Sequence, residues 1–438
     1  MRKTHLCATP ENTTNGILIH MHGGSYMKKT IEKRTWVLLW VGWCAVALSQ
    51  ILSFSYGMMV PSIIEDFGLD YAKIGMVGSV AAWVAVFANI PVSGVVANAN
   101  PRFALPVIYS FFGLGCLIFG TTHSLFGLYA GRIISGIAGT GLLTALVTIK
   151  IRRVPPERMV EINGIENFVQ PIGQTCATLL MAQIMALLSG WRGVYNVICA
   201  LMFLCGALWV LFYWTTENDV LPADSREKSA PEESVFHSLK LAMSNPVVWL
   251  YGLAYPGKII IWIAFFYYYP SFFMDVRGFT AAQAGLATGL FPVFSAIASI
   301  VSPKISKRFD LNKSLLVGSG ILLCGGYYAM LKLEGLVAIC VASAVSGFLS
   351  YVATPIYFTN MYRLGLPPKA VQMATSFLLT MVSLGSALGA GVVGSLIDAW
   401  GFSRGLVLAC YTPLWFSLLT AFTPSLSKSA MNKSKNSL

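Results

Sequence analysis

Gly68-Leu-Asp-Tyr-Ala-Lys-Ile-Gly75 leads into one apolar run, and Gly278-Phe-Thr-Ala-Ala-Gln-Ala-Gly285 leads into another 210 residues later. Asp70 and Thr280 stand where an N-cap would start each helix, since a short side-chain oxygen can accept from the first free backbone N–H groups. Further along, Arg192-Gly193 opens a run that Arg404-Gly405 matches at an offset of 212. A chain that answers itself at about half its length consists of two similar halves. Their nature depends on the runs between these markers.

Hydrophobic residues make up 56% of the 438-residue chain and charged residues 11%, against a usual charged share of about 25%. Mean hydropathy is +0.67. Eighteen Asp and Glu cannot solvate a globule of this size, so the chain belongs in lipid. Most soluble enzymes, disordered scaffolds and secreted disulfide modules are excluded at once. A membrane helix needs about 20 mostly apolar residues. Twelve spans qualify: about 36–60, 74–97, 103–122, 125–149, 162–188, 193–214, 247–273, 282–301, 314–331, 336–359, 371–397 and 405–423. The first is too long for a signal peptide and lies behind about 35 polar residues.

The expected fold is therefore an all-α membrane protein, with twelve transmembrane helices in two pseudo-symmetric six-helix bundles. Its parts are a tail over 1–35, a bundle over 36–214, a polar linker over 215–246, a second bundle over 247–423 and a tail over 424–438. With both termini inside, the cytoplasmic segments hold 23 of the 30 Lys and Arg, and the outer loops hold five: Lys73, Arg192, Arg277, Lys332 and Arg404. That split orients both termini to the cytoplasm of an inner (plasma) membrane. It also explains the net charge of +12 without a nucleic-acid partner. Residues 1–26 match nothing else in the chain; they are either part of the N-terminal tail or a stretch ahead of a true start at Met27, and His5, His20 and His22 read as part of a tail. Eight of the nine cysteines lie inside the spans with no CxxC pair, as packing residues. Gly252 to Lys258 fits GxxxxGK, but Ile259 follows where a phosphate loop needs Ser or Thr, and the match lies in an apolar run.

Ionisable groups inside a membrane are costly and mark functional candidates. Lys258 lies 11 residues into span 7, about 16 Å deep at 1.5 Å per residue. It follows Pro256-Gly257, where a helix break is expected, and no mid-span Asp or Glu is available to pair with it. It is expected to face the solute. Arg132 in span 4 either contacts the solute and the coupling step or braces helices. Glu166 in span 5 suits a gate or a loop partner better than a ligand. Tyr267 to Tyr269 fit an interfacial aromatic belt. Asn89, Asn167, Gln170 and Gln174 contribute to the path or join helices.

Several motifs carry a family likeness. Span 4 reads Gly131-Arg132-Ile-Ile-Ser-Gly136-Ile-Ala-Gly139-Thr-Gly141, and span 5 reads Gln170-Pro171-Ile172-Gly173. Together with the six-plus-six layout, these resemble the Arg-and-glycine and Gly-Pro hinge signatures of the major facilitator superfamily. The loop 2/3 signature is altered, with Gly94, then Asn98 where Asp is usual, Pro101 for Gly, and Arg102. In loop 8/9, Ser306 takes the Asp position before Lys307-Arg308. The resemblance implies a secondary carrier working by alternating access, with Glu166, Pro171, Gly173, Asn98 and Arg102 at gating or coupling positions. Spans 1, 4, 7 and 10 would line the cavity. That places Gln50, Ser53 and Tyr56, then Tyr351, Thr354 and Tyr357, around the path, with Tyr251 and Tyr255 beside Lys258.

Two fixed cations among aromatic and hydroxyl walls suit a small organic anion, a carboxylate. This style is similar to that of the oxalate–formate and monocarboxylate carriers. Coupling would be proton symport or exchange for another anion. The alternatives are a proton-driven exporter of amphipathic drugs and a non-transporting sensor on the same fold. No enzyme activity, cofactor or metal is expected, and the protein is expected to act as a monomer in the bilayer.

Overall fold

The structure is a computed structural model that describes residues 31–154, 158–214, 235–309, 312–362 and 364–424. The expectations for residues 1–26 and for linker residues 215–234 lie outside these. Among the described residues the chain is helical throughout, in the order α1 (Lys33–Phe67), α2 (Tyr71–Asn98), α3 (Pro101–Thr121), α4 (Leu125–Arg153), α5 (Met159–Leu179), α6 (Met181–Leu187) and α7 (Trp191–Trp214). The second half continues with α8 (Val235–Ser244), α9 (Pro246–Ser271), α10 (Ala281–Phe309), α11 (Asn312–Lys332), α12 (Leu336–Val352), α13 (Thr354–Tyr362), α14 (Pro368–Cys410) and α15 (Thr412–Ala421). Ten helical stretches among the described residues are long and apolar enough to cross a membrane. Twelve spans result once Met373–Ala421 is divided at Gly401, whose φ of 76° is not helical, and α5 with α6 is counted as span 5. Span 5 falls short on hydropathy because Asn163, Glu166, Asn167, Gln170 and Gln174 dilute it.

The repeat motif is a tight turn between helices. Gly68 and Gly278 take left-handed φ values of 60° and 68°, which end one helix at little steric cost. Two residues on, the Asp70 carboxylate accepts from the Lys73 N–H at 2.7 Å. That bond, with the Lys73 ammonium beside it, holds the Asp70 carboxyl below the usual carboxylate range. In the second half Thr280 and Gln283 bond reciprocally, with Gln283 N–H on Thr280 Oγ1 at 3.2 Å and Thr280 N–H on Gln283 Oε1 at 2.9 Å. This is a capping box, and it closes the same turn by different chemistry.

Two features depart from the sequence expectations. The end of the predicted linker is the helix Val235–Ser244, packed on α14. The break expected at Pro256-Gly257 is absent, since α9 is continuous from Pro246 to Ser271. A break occurs instead in span 10 at Ala353, two residues before Pro355, which has no N–H to give to the helix ladder.

The two six-span bundles meet along α2 with α14, α5 with α10 and α1 with α9. The face reached by the α1–α2 turn is the distal face, opposite the end of α7 at Trp214. Hydrogen bonds joining the bundles gather at this face. Asp398 accepts from the backbone N–H groups of Tyr71, at 3.1 Å, and Ala72. The Tyr71 hydroxyl reaches Asp275 at 3.0 Å. A Cβ at Gly57 of α1 would strike the Phe266 carbonyl and stand 2.9 Å from the Tyr267 Cα. At Gly285 of α10 a Cβ would meet the Thr178 carbonyl at 2.6 Å. Backbone therefore touches backbone across the seam, and the distal end is closed.

Candidate functional site

Arg132 occupies the centre of the closed end. Gly115 and Gly131 let α3 and α4 approach until a Cβ on Gly131 would lie 2.8 Å from the Gly115 carbonyl. That contact brings the guanidinium to 5.2 Å from the Phe119 ring and 4.2 Å from the Tyr56 ring of α1. Phe119 stacks on Tyr195 at 4.3 Å. Tyr56 in turn packs at 5.0 Å against Tyr267, which belongs to the other bundle. Arg132 is 4% exposed, and its Nε and Nη2 have no hydrogen-bond partner. A buried N–H without a partner costs about 1–3 kcal/mol, and the rings of Tyr56 and Phe119 face this guanidinium. Bracing through carbonyl hydrogen bonds, one of the two roles open to Arg132, is not made by those two nitrogens.

A second cluster joins spans 1, 5 and 10. The Gln174 amide donates to Gln50 Oε1 at 3.1 Å, and the Tyr351 phenol faces Gln174 from the second bundle. Gly173 permits this crossing, because a Cβ there would lie 2.9 Å from both the Ala47 carbonyl and the Gln50 Cβ. Pro171 stands inside α5, two residues before that contact.

Lys258, expected to face the solute, lies between spans 7 and 10 of the second bundle. It is 3% exposed, and its ammonium is turned into the second bundle. There it donates to the Ser350 carbonyl and, at 2.8 Å, to Thr354 Oγ1. Both acceptors flank the span 10 break, so the ammonium closes a carbonyl beside it. The rings of Tyr255 and Phe416 stand 5.6 and 5.9 Å away. Tyr251, Tyr255 and Tyr357 surround this point with ring separations of 4.6–4.8 Å. The Tyr357 hydroxyl is bonded to the Tyr251 carbonyl, and Asn360 donates to the Tyr251 hydroxyl at 2.9 Å. Tyr251, Tyr255 and Tyr357 thus come together beside Lys258, and all four side chains are buried.

The expected gating residues divide. Glu166 is paired at 2.7 Å with Lys150 of α4, both largely buried, within one bundle. Arg102 lies in the first turn of α3, where its N–H is capped by Asn100 at 3.0 Å. Asn98 closes α2, and its side chain lies outside the described residues. Sequence reasoning missed Lys150, which follows directly on the predicted end of span 4, and Phe119 and Tyr195. It also assigned Tyr267 to Tyr269 to an interfacial belt, whereas their exposures are 8%, 0% and 0%. Their hydroxyls are bonded to the carbonyls of Gly78 (3.5 Å), Ala390 and Tyr327 (3.2 Å), so burial with a partner replaces the interface.

Comparison with known proteins bears on the family and the fold. The family pattern described as Major Facilitator Superfamily matches residues 42–390. The purine ribonucleoside efflux pump NepI of Escherichia coli K12 is 22% identical over 389 residues, which cover 89% of this chain and 94% of that protein. The Shigella flexneri protein of the same name is similar to the same extent. Among solved structures, a bacterial homolog of the human lysosomal transporter Spinster, in an inward-facing and unoccupied conformation, superposes with a TM-score of 0.73. It has 17% identity and covers 93% of this chain and 98% of its own.

Proposed function

The chain belongs to the Major Facilitator Superfamily, as a multi-pass membrane transport protein and not an enzyme, and from that membership we propose that its solute is a small organic anion bound at Arg132. The observation that carries this reading is the pair of buried, unpartnered guanidinium N–H groups between aromatic walls from both bundles. A carboxylate would accept from Nε and Nη2 in the forked geometry that Arg prefers. The flat body of the solute would lie against Tyr56 and Tyr267. Because Tyr56 and Tyr267 come from opposite bundles, opening the distal end would take the walls apart and release the solute. The 23-to-5 division of cations supports placing both termini in the cytoplasm. In that orientation the distal end, closed here, is the outer one.

A second reading is efflux of an uncharged aromatic solute. The Tyr56–Tyr267 pair favours it, as does the similarity to a pump named for purine ribonucleosides. Purified protein in vesicles distinguishes the two, with flux of mono- and dicarboxylates measured beside flux of purine ribonucleosides, with and without a pH gradient. Carboxylate flux that disappears in Arg132→Gln is the expected result. Nucleoside flux that survives Arg132→Gln, with no carboxylate flux in the parent, would replace the anion reading by the second one.

A further inference from the structure

Five cations lie at the distal face, and three of them are engaged within the chain. Lys73 pairs with Asp70 at 3.0 Å. Arg192 reaches Asp66 at 3.6 Å and the Thr122 carbonyl at 2.6 Å. Arg277 donates to the Leu331 carbonyl. Lys332 and Arg404 are exposed, and among the described residues neither has a hydrogen bond or an ion pair. They line one pocket of about 580 Å³ together with Tyr328, Trp400, Leu408 and Tyr411.

The internal repeat explains why Arg404 is spare. Arg192 and Arg404 are repeat mates, each followed by a glycine that packs on backbone. A Cβ at Gly193 would strike the Leu188 carbonyl, and one at Gly405 would lie 2.9 Å from the Leu396 carbonyl. In the first bundle Arg192 caps the carbonyls at the end of span 3, Gly120 and Thr122. In the second bundle the end of span 9 is capped by Arg277 instead. Arg404 does not make that contact and stands with Lys332 at the rim.

Below the pair runs an apolar track. Leu408, Tyr411, Trp415, Leu418 and Phe422 follow Arg404 at steps of four, three, four, three and four, which is one face of a helix. All five are exposed, from 44% at Leu408 to 70% at Phe422. The surroundings of such a face on a membrane span are lipid chains.

The geometry points to a binding site for a phospholipid with an anionic headgroup in the leaflet at the distal face, its phosphate on Lys332 and Arg404 and an acyl chain along the upper half of the span 12 track, Leu408 to Trp415. Aromatic rims at headgroup depth and paired cations are the chemistry that such a lipid selects. A second copy of the chain fits this face less well. Two copies in one membrane share their topology, so a two-fold contact here would bring Lys332 and Arg404 up against themselves at equal depth.

The test uses delipidated full-length protein in detergent, titrated with phosphatidylglycerol, phosphatidylcholine or inorganic phosphate, and read by native mass spectrometry and thermal stability. Phosphatidylglycerol should bind and raise the melting temperature, while phosphatidylcholine and inorganic phosphate should not. The double variant Lys332→Gln/Arg404→Gln should bind phosphatidylglycerol about 30-fold more weakly, at roughly a decade and a half for two interfacial cations. Its lipid-free stability should match the parent, since both side chains are exposed. Leu408→Ser should also weaken phosphatidylglycerol binding. Equal binding of phosphatidylcholine, unchanged affinity in the double variant, or an equal effect of inorganic phosphate would overturn the site. So would a lipid-independent dimer that the double variant dissolves.

Discussion

Arg132 and Lys258 are both buried and differ in what their nitrogens meet. Arg132 keeps two N–H groups unbonded, so replacing it removes a cost from the empty protein. Arg132→Gln is expected to leave thermal stability equal or raised, while anion flux in vesicles falls at least about tenfold, the value of one charge-assisted hydrogen bond. Lys258 is bonded to the Ser350 carbonyl and to Thr354, so the opposite outcome is expected there. Lys258→Met should lower stability by about 2 kcal/mol, seen as a lower melting temperature, with solute affinity retained in the folded fraction. A variant as stable as the parent would refute that role. The depth and isolation of Lys258 were readable from the sequence, because hydropathy shows a charge with no carboxylate near it. Its partner was not readable, because it is a backbone carbonyl beside a helix break 92 residues away. Lys150 was missed for a related reason. It stands at the boundary that hydropathy draws, and only the fold brings it within 2.7 Å of Glu166.

At the level of elements, the twelve spans and both repeat turns were legible, since apolar length and capping residues are local properties. Breaks were not. Pro256 is accommodated inside α9, whereas the break in span 10 depends on what can cover the exposed carbonyl. The helix Val235–Ser244 was hidden in a polar stretch, because ten residues with their apolar side on α14 barely lift the average hydropathy. Gly401 has the opposite character. Its φ of 76° and ψ of 166° lie where only glycine is comfortable, at a turn with no loop to absorb strain. Gly401→Ala should therefore cost about 1–3 kcal/mol, measured as loss of thermal stability. Gly335→Ala, at an ordinary negative φ with open space around it, should be nearly neutral.

Across the whole molecule, closure of the distal end depends on backbone proximity and on a carboxylate seated at a helix start. The Asp398 oxygens accept from Tyr71 and Ala72, two of the four N–H groups that α2 leaves without helical partners. Asp398→Ala should expose those amides and speed their hydrogen exchange, read by mass spectrometry on peptides covering 69–75. Gly57→Ala should give the same signature from a different place, because its Cβ cannot coexist with the Phe266 carbonyl. If neither variant changes exchange at Tyr71 and Ala72, the closed end is held elsewhere. The pairing of the bundles was legible from the repeat, but which residues seal it was not, since Asp398 and Tyr71 lie 327 positions apart. The Gly401 turn also bears on how the chain is made. Gly405 packs directly on Leu396 and Ile397, so no slack separates spans 11 and 12. Spans 11 and 12 are a hairpin with no spare residue at its corner, so placing one of them largely places the other. An insertion at that corner is expected to be felt as failed biogenesis, read as a lower yield of membrane-inserted protein.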